Sequence, residues 1–102
     1  MIEHVVMWNF MAFANGKSRK ENVLYIKAQL ELLPNEIPGI LAWKVGANTQ
    51  VHDDAFDLIL ISQFDSWEAL ETYQNHSAHI RVRDEIRKVR LNRRFVDFES
   101  TC

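Results

Sequence analysis

The segment Tyr73-Gln74-Asn75-His76-Ser77-Ala78-His79 places a phenol and two imidazoles within seven residues. Imidazoles change charge near neutral pH, and a phenol can donate a hydrogen bond to an oxygen that is gaining negative charge. His79 can therefore act as a general base on a carbon acidified by a neighbouring carbonyl, with Tyr73 hydrogen-bonding the developing enolate. The same imidazole could instead cap a helix or satisfy a buried backbone carbonyl, so a structural reading stands beside the catalytic one. A third imidazole, His4, alternates onto the side of Ile2, Val6, Trp8 and Phe10. Its ring is expected to point towards the helix layer, where His79 can also reach.

His76, Trp8 and Phe56 are the expected ligand contacts. His76 precedes His79 by three residues, a spacing that would let both bind a metal from one helical face, but zinc normally needs a third protein ligand. No cysteine or HExxH pattern supplies one, so no metal is expected. His52, beside Asp53 and Asp54, reads as a solvated loop residue. Trp8, Trp43, Trp67, Phe10, Phe56 and Phe64 can either line a cavity for a planar ligand or simply form core. The chain has no glycine-rich phosphate loop, Ser-His-Asp pattern or CxxC, and its three glycines are too few for a dinucleotide fingerprint. No cofactor is expected.

These groups need elements to position them. Residues 2–11 alternate as a strand, with Glu3, Val5, Met7, Asn9 and Met11 opposite the His4 side. Asn15-Gly16 breaks the pattern, and Ser18-Arg19-Lys20-Glu21 has the form of a capping box. A helix is predicted to about Leu33, with Val23, Ile26, Leu30 and Leu33 on one face and Pro34 as its stop. Pro38-Gly39 marks a turn before a strand from Ile40 to Ala47 that has Leu41, Trp43 and Val45 on one face. A polar connection over residues 46–55 leads to a third strand from about Phe56 to Phe64. Asp65-Ser66 offers a cap for a helix carrying Trp67, Leu70 and Tyr73. Val82, Ile86 and Val89 suggest another helical piece, and Arg94 to Glu99 a last strand with Val96 and Phe98 on one side.

The order of strand, helix, strand, strand, helix, strand is that of the ferredoxin-like split βαβ arrangement, an α+β fold with the helices on one face of a four-stranded antiparallel sheet. Val5, Met7, Met11, Ile59 and Ile61 leave the other face apolar as well, and two helices cannot cover both. A second copy of the chain is the economical cover, because a two-fold sheet-on-sheet contact is self-complementary. A homodimer is expected.

At 102 residues the chain is one domain over residues 1–102, and its 47% hydrophobic and 25% charged residues exclude a disordered chain. Twelve basic residues against fourteen acidic ones give a net charge of −2, so no partnership with nucleic acid is expected. The charge is nonetheless uneven, since Arg81, Arg83, Arg87, Lys88, Arg90, Arg93 and Arg94 form a basic strip against Asp84 and Glu85. That strip can be a solvated face, or it can serve an assembly of dimers or an anionic ligand. Cys102 is the single cysteine, which excludes an internal disulfide and fits a reducing compartment. The opening Met1-Ile2-Glu3-His4 lacks the basic region of a signal peptide, and no apolar run approaches a membrane span. A cytoplasmic protein without membrane association is expected.

Six pieces in order give the chain a resemblance to a known family. They are Ile2-Glu3-His4-Val5-Val6-Met7-Trp8-Asn9-Phe10, Leu33-Pro34-x-x-Ile37-Pro38-Gly39-Ile40, Asp54-Ala55-Phe56-Asp57-Leu58, Phe64-Asp65-Ser66, Tyr73-x-x-His76-x-Ala78-His79 and Val96-Asp97-Phe98. On these the chain resembles the stress-responsive dimeric α/β-barrel (Dabb) domain family. The resemblance implies a ferredoxin-like protomer whose sheet packs on that of a second copy to form a barrel. Most members have no known activity, and one plant branch contains a polyketide cyclase that closes a ring by aldol condensation without a cofactor. Carried over from that branch, the acting positions are Tyr73 and His79, with His4 nearby. Two further polar positions of the cyclase correspond to Ile26 and Leu58 here, which implies a more apolar cavity and a different substrate. Two functions follow from this reading. One is a dimeric barrel binding a small apolar or aromatic ligand, and the alternative is a cofactor-independent cyclase, lyase or oxygenase using His79, Tyr73 and His4.

Overall fold

Strict alternation of side chains builds the centre of the sheet. In β1 (Ile2–Phe10) the residues Ile2, His4, Val6, Trp8 and Phe10 are buried, while those between them are half-buried or exposed. The computed structural model describes residues 1–50 and 52–101; Val51, in the polar connection, and Cys102 lie outside the described residues. After β1 the chain folds into a tight hairpin, β2 (Phe13–Ala14) against β3 (Lys17–Ser18). Asn15 and Gly16 both take positive φ, 53° and 78°, which suits the primed turns that match strand twist. Strands of two residues are too short to show alternation, so the sequence marks only the break. Met11 departs from the outer-face assignment: it lies beyond the end of β1, donates its N–H to the Val89 carbonyl at 3.0 Å and packs against the core.

The expected capping box opens α1 (Arg19–Glu36): Ser18 Oγ accepts from the Glu21 N–H at 3.2 Å, and the Ser18 N–H donates to Glu21 Oε1 at 3.1 Å. The helix does not stop at Leu33 but runs through Pro34 to Glu36. Proline lacks the N–H that would bond the carbonyl four residues back, that of Leu30. The Trp43 indole N–H donates to that carbonyl instead, at 3.0 Å, so the helix passes the proline without an orphaned acceptor.

β4 (Ala42–Ala47) and β5 (Leu58–Phe64) follow, each starting two residues later than the sequence suggests. Ser66 Oγ accepts from the Ala69 N–H at 3.1 Å and starts α2 (Trp67–Asn75), in which Leu70 and Tyr73 are buried and Trp67 is exposed. α3 (Ser77–Arg87) buries Ala78, Val82 and Ile86. β6 (Arg90–Glu99) begins four residues before the expected Arg94. It is an edge strand, whose side chains reach solvent more easily, so two of its first four residues, Arg90 and Arg93, are charged and the four show no apolar alternation.

The four long strands form one antiparallel sheet in the order β4-β5-β1-β6. The fold is α+β and ferredoxin-like, with the helices packed on one face. The opposite face carries an apolar row: Val5 pairs with Ile61 on one side and Val96 on the other, and Met7, Ile61, Val96 and Phe98 are between 37% and 53% exposed. No helix among the described residues is long and apolar enough to cross a membrane.

Candidate active site

Tyr73 sits in the last turn of α2, and four elements bring aromatic rings to it. Its ring centroid lies 4.6 Å from that of His79, 5.0 Å from Phe64, 5.8 Å from Trp43 and 6.2 Å from His4. The fold thus gathers residues 4, 73 and 79, separated by most of the chain. All three line a cavity of about 260 Å³ between the sheet and the helices, with Trp8, Leu33 and Val82 among its apolar walls.

The polar atoms at this cavity have defined roles. His79 Nδ1 lies 2.9 Å from the Gln74 carbonyl. A carbonyl only accepts, so Nδ1 carries the proton and a neutral ring keeps its lone pair on Nε2. Burial lowers the His79 pKa from 6.5 to about 4, against the pull of the Gln74 carbonyl, and the positive charges of His4, Arg83 and Arg93 push it the same way as burial. At neutral pH the imidazole is uncharged. Burial raises the Tyr73 phenol well above its ordinary value, with Arg93 opposing, so it remains a hydrogen-bond donor. Tyr73 is 1% exposed, and its hydroxyl has no hydrogen-bond partner among the described residues. No buried side-chain polar atom lacks a partner among the described residues, so this hydroxyl opens onto the cavity it lines, where a bound oxygen can accept from it.

His4 is held from two sides. Its Nδ1 hydrogen-bonds the Asp97 carboxylate, which the sheet register places directly across on β6, and its backbone carbonyl accepts from the Ser62 hydroxyl at 3.0 Å. The Asp97 contact orients the ring and leaves Nε2 as its second functional nitrogen. Asp97 was not anticipated as a site residue. It shares the inner side of β6 with Arg93, an alternation that becomes informative only once the strand is known to start at Arg90.

Of the expected ligand contacts, Trp8 reaches the cavity and His76 and Phe56 do not. His76 Nδ1 accepts from the Ala78 N–H at 3.0 Å and caps α3. That bond turns the His76 ring to the start of α3. Phe56 precedes β5, and its carbonyl accepts from the Asn48 amide at 3.1 Å. His52 stays in its loop, where Nδ1 accepts from the Asp54 N–H at 3.0 Å. Among the described residues no three His, Cys, Asp or Glu side chains are grouped to hold a metal ion. Ile26 and Leu58 are buried in the core behind the site. Neither lines the cavity, whose apolar walls include Val6, Leu30, Leu60 and Ile86, while Arg83 and Arg87 of α3 and Arg90 and Arg93 of β6 line its rim.

Solved structures share this fold. A dimeric protein of unknown function from Bacteroides fragilis with a ferredoxin-like fold is 22% identical, with a TM-score of 0.81, covering 97% of this chain and 95% of that one. A protein from Arabidopsis thaliana is 21% identical with a TM-score of 0.79, covering 100% and 97%. A hydroxynitrile lyase from Passiflora edulis is 18% identical with a TM-score of 0.77, covering 95% and 90%. No curated protein matches the sequence. The sequence pattern of the stress responsive A/B barrel domain matches residues 2–100. With nearly its whole length covered by that pattern, the chain belongs to the stress responsive A/B barrel domain (Dabb) family.

Proposed function

We propose that two copies pair through the apolar outer sheet face, and that the cavity of each binds a small aromatic or apolar carbonyl compound and moves a proton on it without a cofactor. The observation that carries this is the unpartnered Tyr73 hydroxyl beside the neutral His79 ring on one cavity. In this reading His79 Nε2 takes a proton from the carbon next to the carbonyl, and Tyr73 donates to the oxygen as charge develops there. His4, oriented by Asp97, assists from β1. The apolar walls exclude water, which strengthens each of these interactions. The hydroxynitrile lyase among proteins of this fold supports a lyase as one reaction class, and the dimeric relatives support the pairing.

A second reading is favoured by the His79 Nδ1 contact with Gln74. That bond gives the ring a structural duty, and a dimeric barrel that binds its ligand without turnover needs no more. The two readings separate in one experiment. Wild-type protein and His79→Ala are screened with planar phenols, quinones and β-keto compounds by thermal shift, and the β-keto compounds are followed by NMR in D2O for exchange at the carbon between the carbonyls. Proton transfer predicts protein-catalysed exchange that His79→Ala loses. Thermal shifts without catalysed exchange support binding alone, and equal shifts and equal exchange for both proteins remove His79 from either role.

A further inference from the structure

We propose that the cavity takes a carboxylate, its apolar body lying against Trp8 and Tyr73 and its charged end held at the rim by Arg90 and Arg93. This rests on the reading of the cavity as a ligand site and names the ligand's chemical class.

The rim is built, and a defect in the sheet builds it. β1 and β6 pair Trp8 with Arg93 and Asn9 with Asn92, but Phe10 pairs with Arg90. Leu91 is the extra residue of a β-bulge. Without the bulge, positions 90 and 93 would fall on opposite faces of the sheet, because side chains alternate along a strand. With it, both arginines stand on the same side as their buried partners Trp8 and Phe10, and both line the cavity. Bulges re-aim side chains at sites in this way.

Arg83 and Arg87, four residues apart on α3, complete the rim, and Asp84 engages both, at 3.2 and 3.9 Å. No carboxylate pairs with Arg90 or Arg93 among the described residues. Asp97, the acidic group nearest in the register, is engaged by His4. Burial and the positive charges of Arg90 and Arg87 lower the proton affinity of Arg93, with Asp97 and Tyr73 opposing, and its guanidinium lies 4.6 Å over the Phe95 ring without forming an ion pair among the described residues. In a chain of net charge −2, four arginines around one opening are not a consequence of overall composition.

The geometry of the groups selects the ligand. A guanidinium offers a planar fork that matches a carboxylate with two parallel hydrogen bonds. The interior at about 260 Å³ is close to the smallest ligand pockets and is walled mostly by apolar side chains. That combination suits one ring or a short chain with a carboxylate at its end. It does not suit inorganic phosphate, which has no apolar part to bury. A bound anion would also offset the positive field that disfavours a charged His79, so the same ligand would ease the proton transfer proposed for that ring.

The test is titration of the isotope-labelled protein at 50 mM NaCl with benzoate, 2-hydroxybenzoate and 3-phenylpropanoate, with the three corresponding primary amides, and with inorganic phosphate. The acids are expected to bind at least tenfold more tightly than their amides, shifting resonances of Tyr73, His79 and Arg93. Arg90→Gln and Arg93→Gln are expected each to weaken acid binding about tenfold. Arg94→Gln, on the outer face opposite Met7, should leave it unchanged. The comparison of acid with amide needs no variant, so it stands even if a substitution perturbs folding. Amides that bind as tightly as acids would overturn the carboxylate while leaving the cavity as a ligand site. Phosphate binding that depends on Arg90 and Arg93, with no binding of the acids, would overturn it in favour of a bare anion site. No binding by any of the seven compounds would overturn both this proposal and the reading of the cavity on which it rests.

Discussion

Replacing His79 by Asn should remove a specific part of the pH dependence of stability. Asn keeps a side-chain N–H close to the position of Nδ1, so the bond to Gln74 can survive while the titrating group is lost. In the folded protein His79 titrates at about 4, against an ordinary value of 6.5. Between those values the unfolded chain binds a proton that the folded chain refuses, so stability is full above about pH 6.5, declines as pH falls, and levels off near pH 4. At roughly 1.36 kcal/mol per pKa unit the full effect would be about 3 kcal/mol. The ring is only partly buried, and solvent screening reduces this to about 1–2 kcal/mol. Urea denaturation of both proteins at steps from pH 7 to pH 4 reads it directly. The wild-type advantage should shrink by about 1–2 kcal/mol across that range, while contributions common to both proteins cancel. An NMR titration of the His79 ring in wild type provides the independent check. Parallel stability curves, or a ring midpoint near the ordinary histidine value, would refute the assignment of a buried neutral imidazole.

Three other outcomes are expected. Tyr73→Phe removes a hydroxyl that has no partner, so urea denaturation should show a change of less than about 1 kcal/mol, whereas any catalysed exchange of a β-keto compound should fall roughly a hundredfold or more. Trp43→Phe strands the Leu30 carbonyl and should cost about 1–2 kcal/mol; adding Pro34→Ala restores a backbone N–H for that carbonyl and should recover part of the loss. Val96→Lys combined with Phe98→Lys places charge on the outer sheet face, and light scattering at micromolar concentration should report a monomer for this variant and a dimer for wild type.

The sequence by itself determined the long elements and most of their inward faces. Alternation over Ile2 to Phe10, the Ser18–Glu21 capping box and the Ser66 cap are local patterns, and each appears in the structure where the residues place it. They also put His4 on the helix side, and the spacing of Leu70 and Tyr73 puts the phenol in the core. Local pattern erred where a distant group intervened. Pro34 reads as a stop because proline lacks an N–H, and only the approach of the Trp43 indole to the Leu30 carbonyl lets α1 continue. His76 differs in kind, because its ring nitrogen accepts from the Ala78 N–H only two residues on and the ring lies outside the cavity that His79 lines.

Only the tertiary structure decided the site. The pairing of His4 with Asp97 depends on the register of two strands at opposite ends of the chain, and no spacing along the sequence encodes which carboxylate faces which imidazole. The arginine rim depends on a single extra residue at Leu91, which reverses the face of Arg90 relative to simple alternation. Periodicity reports which side of its own element a residue occupies; what lies across from it is fixed by how the elements pair and pack.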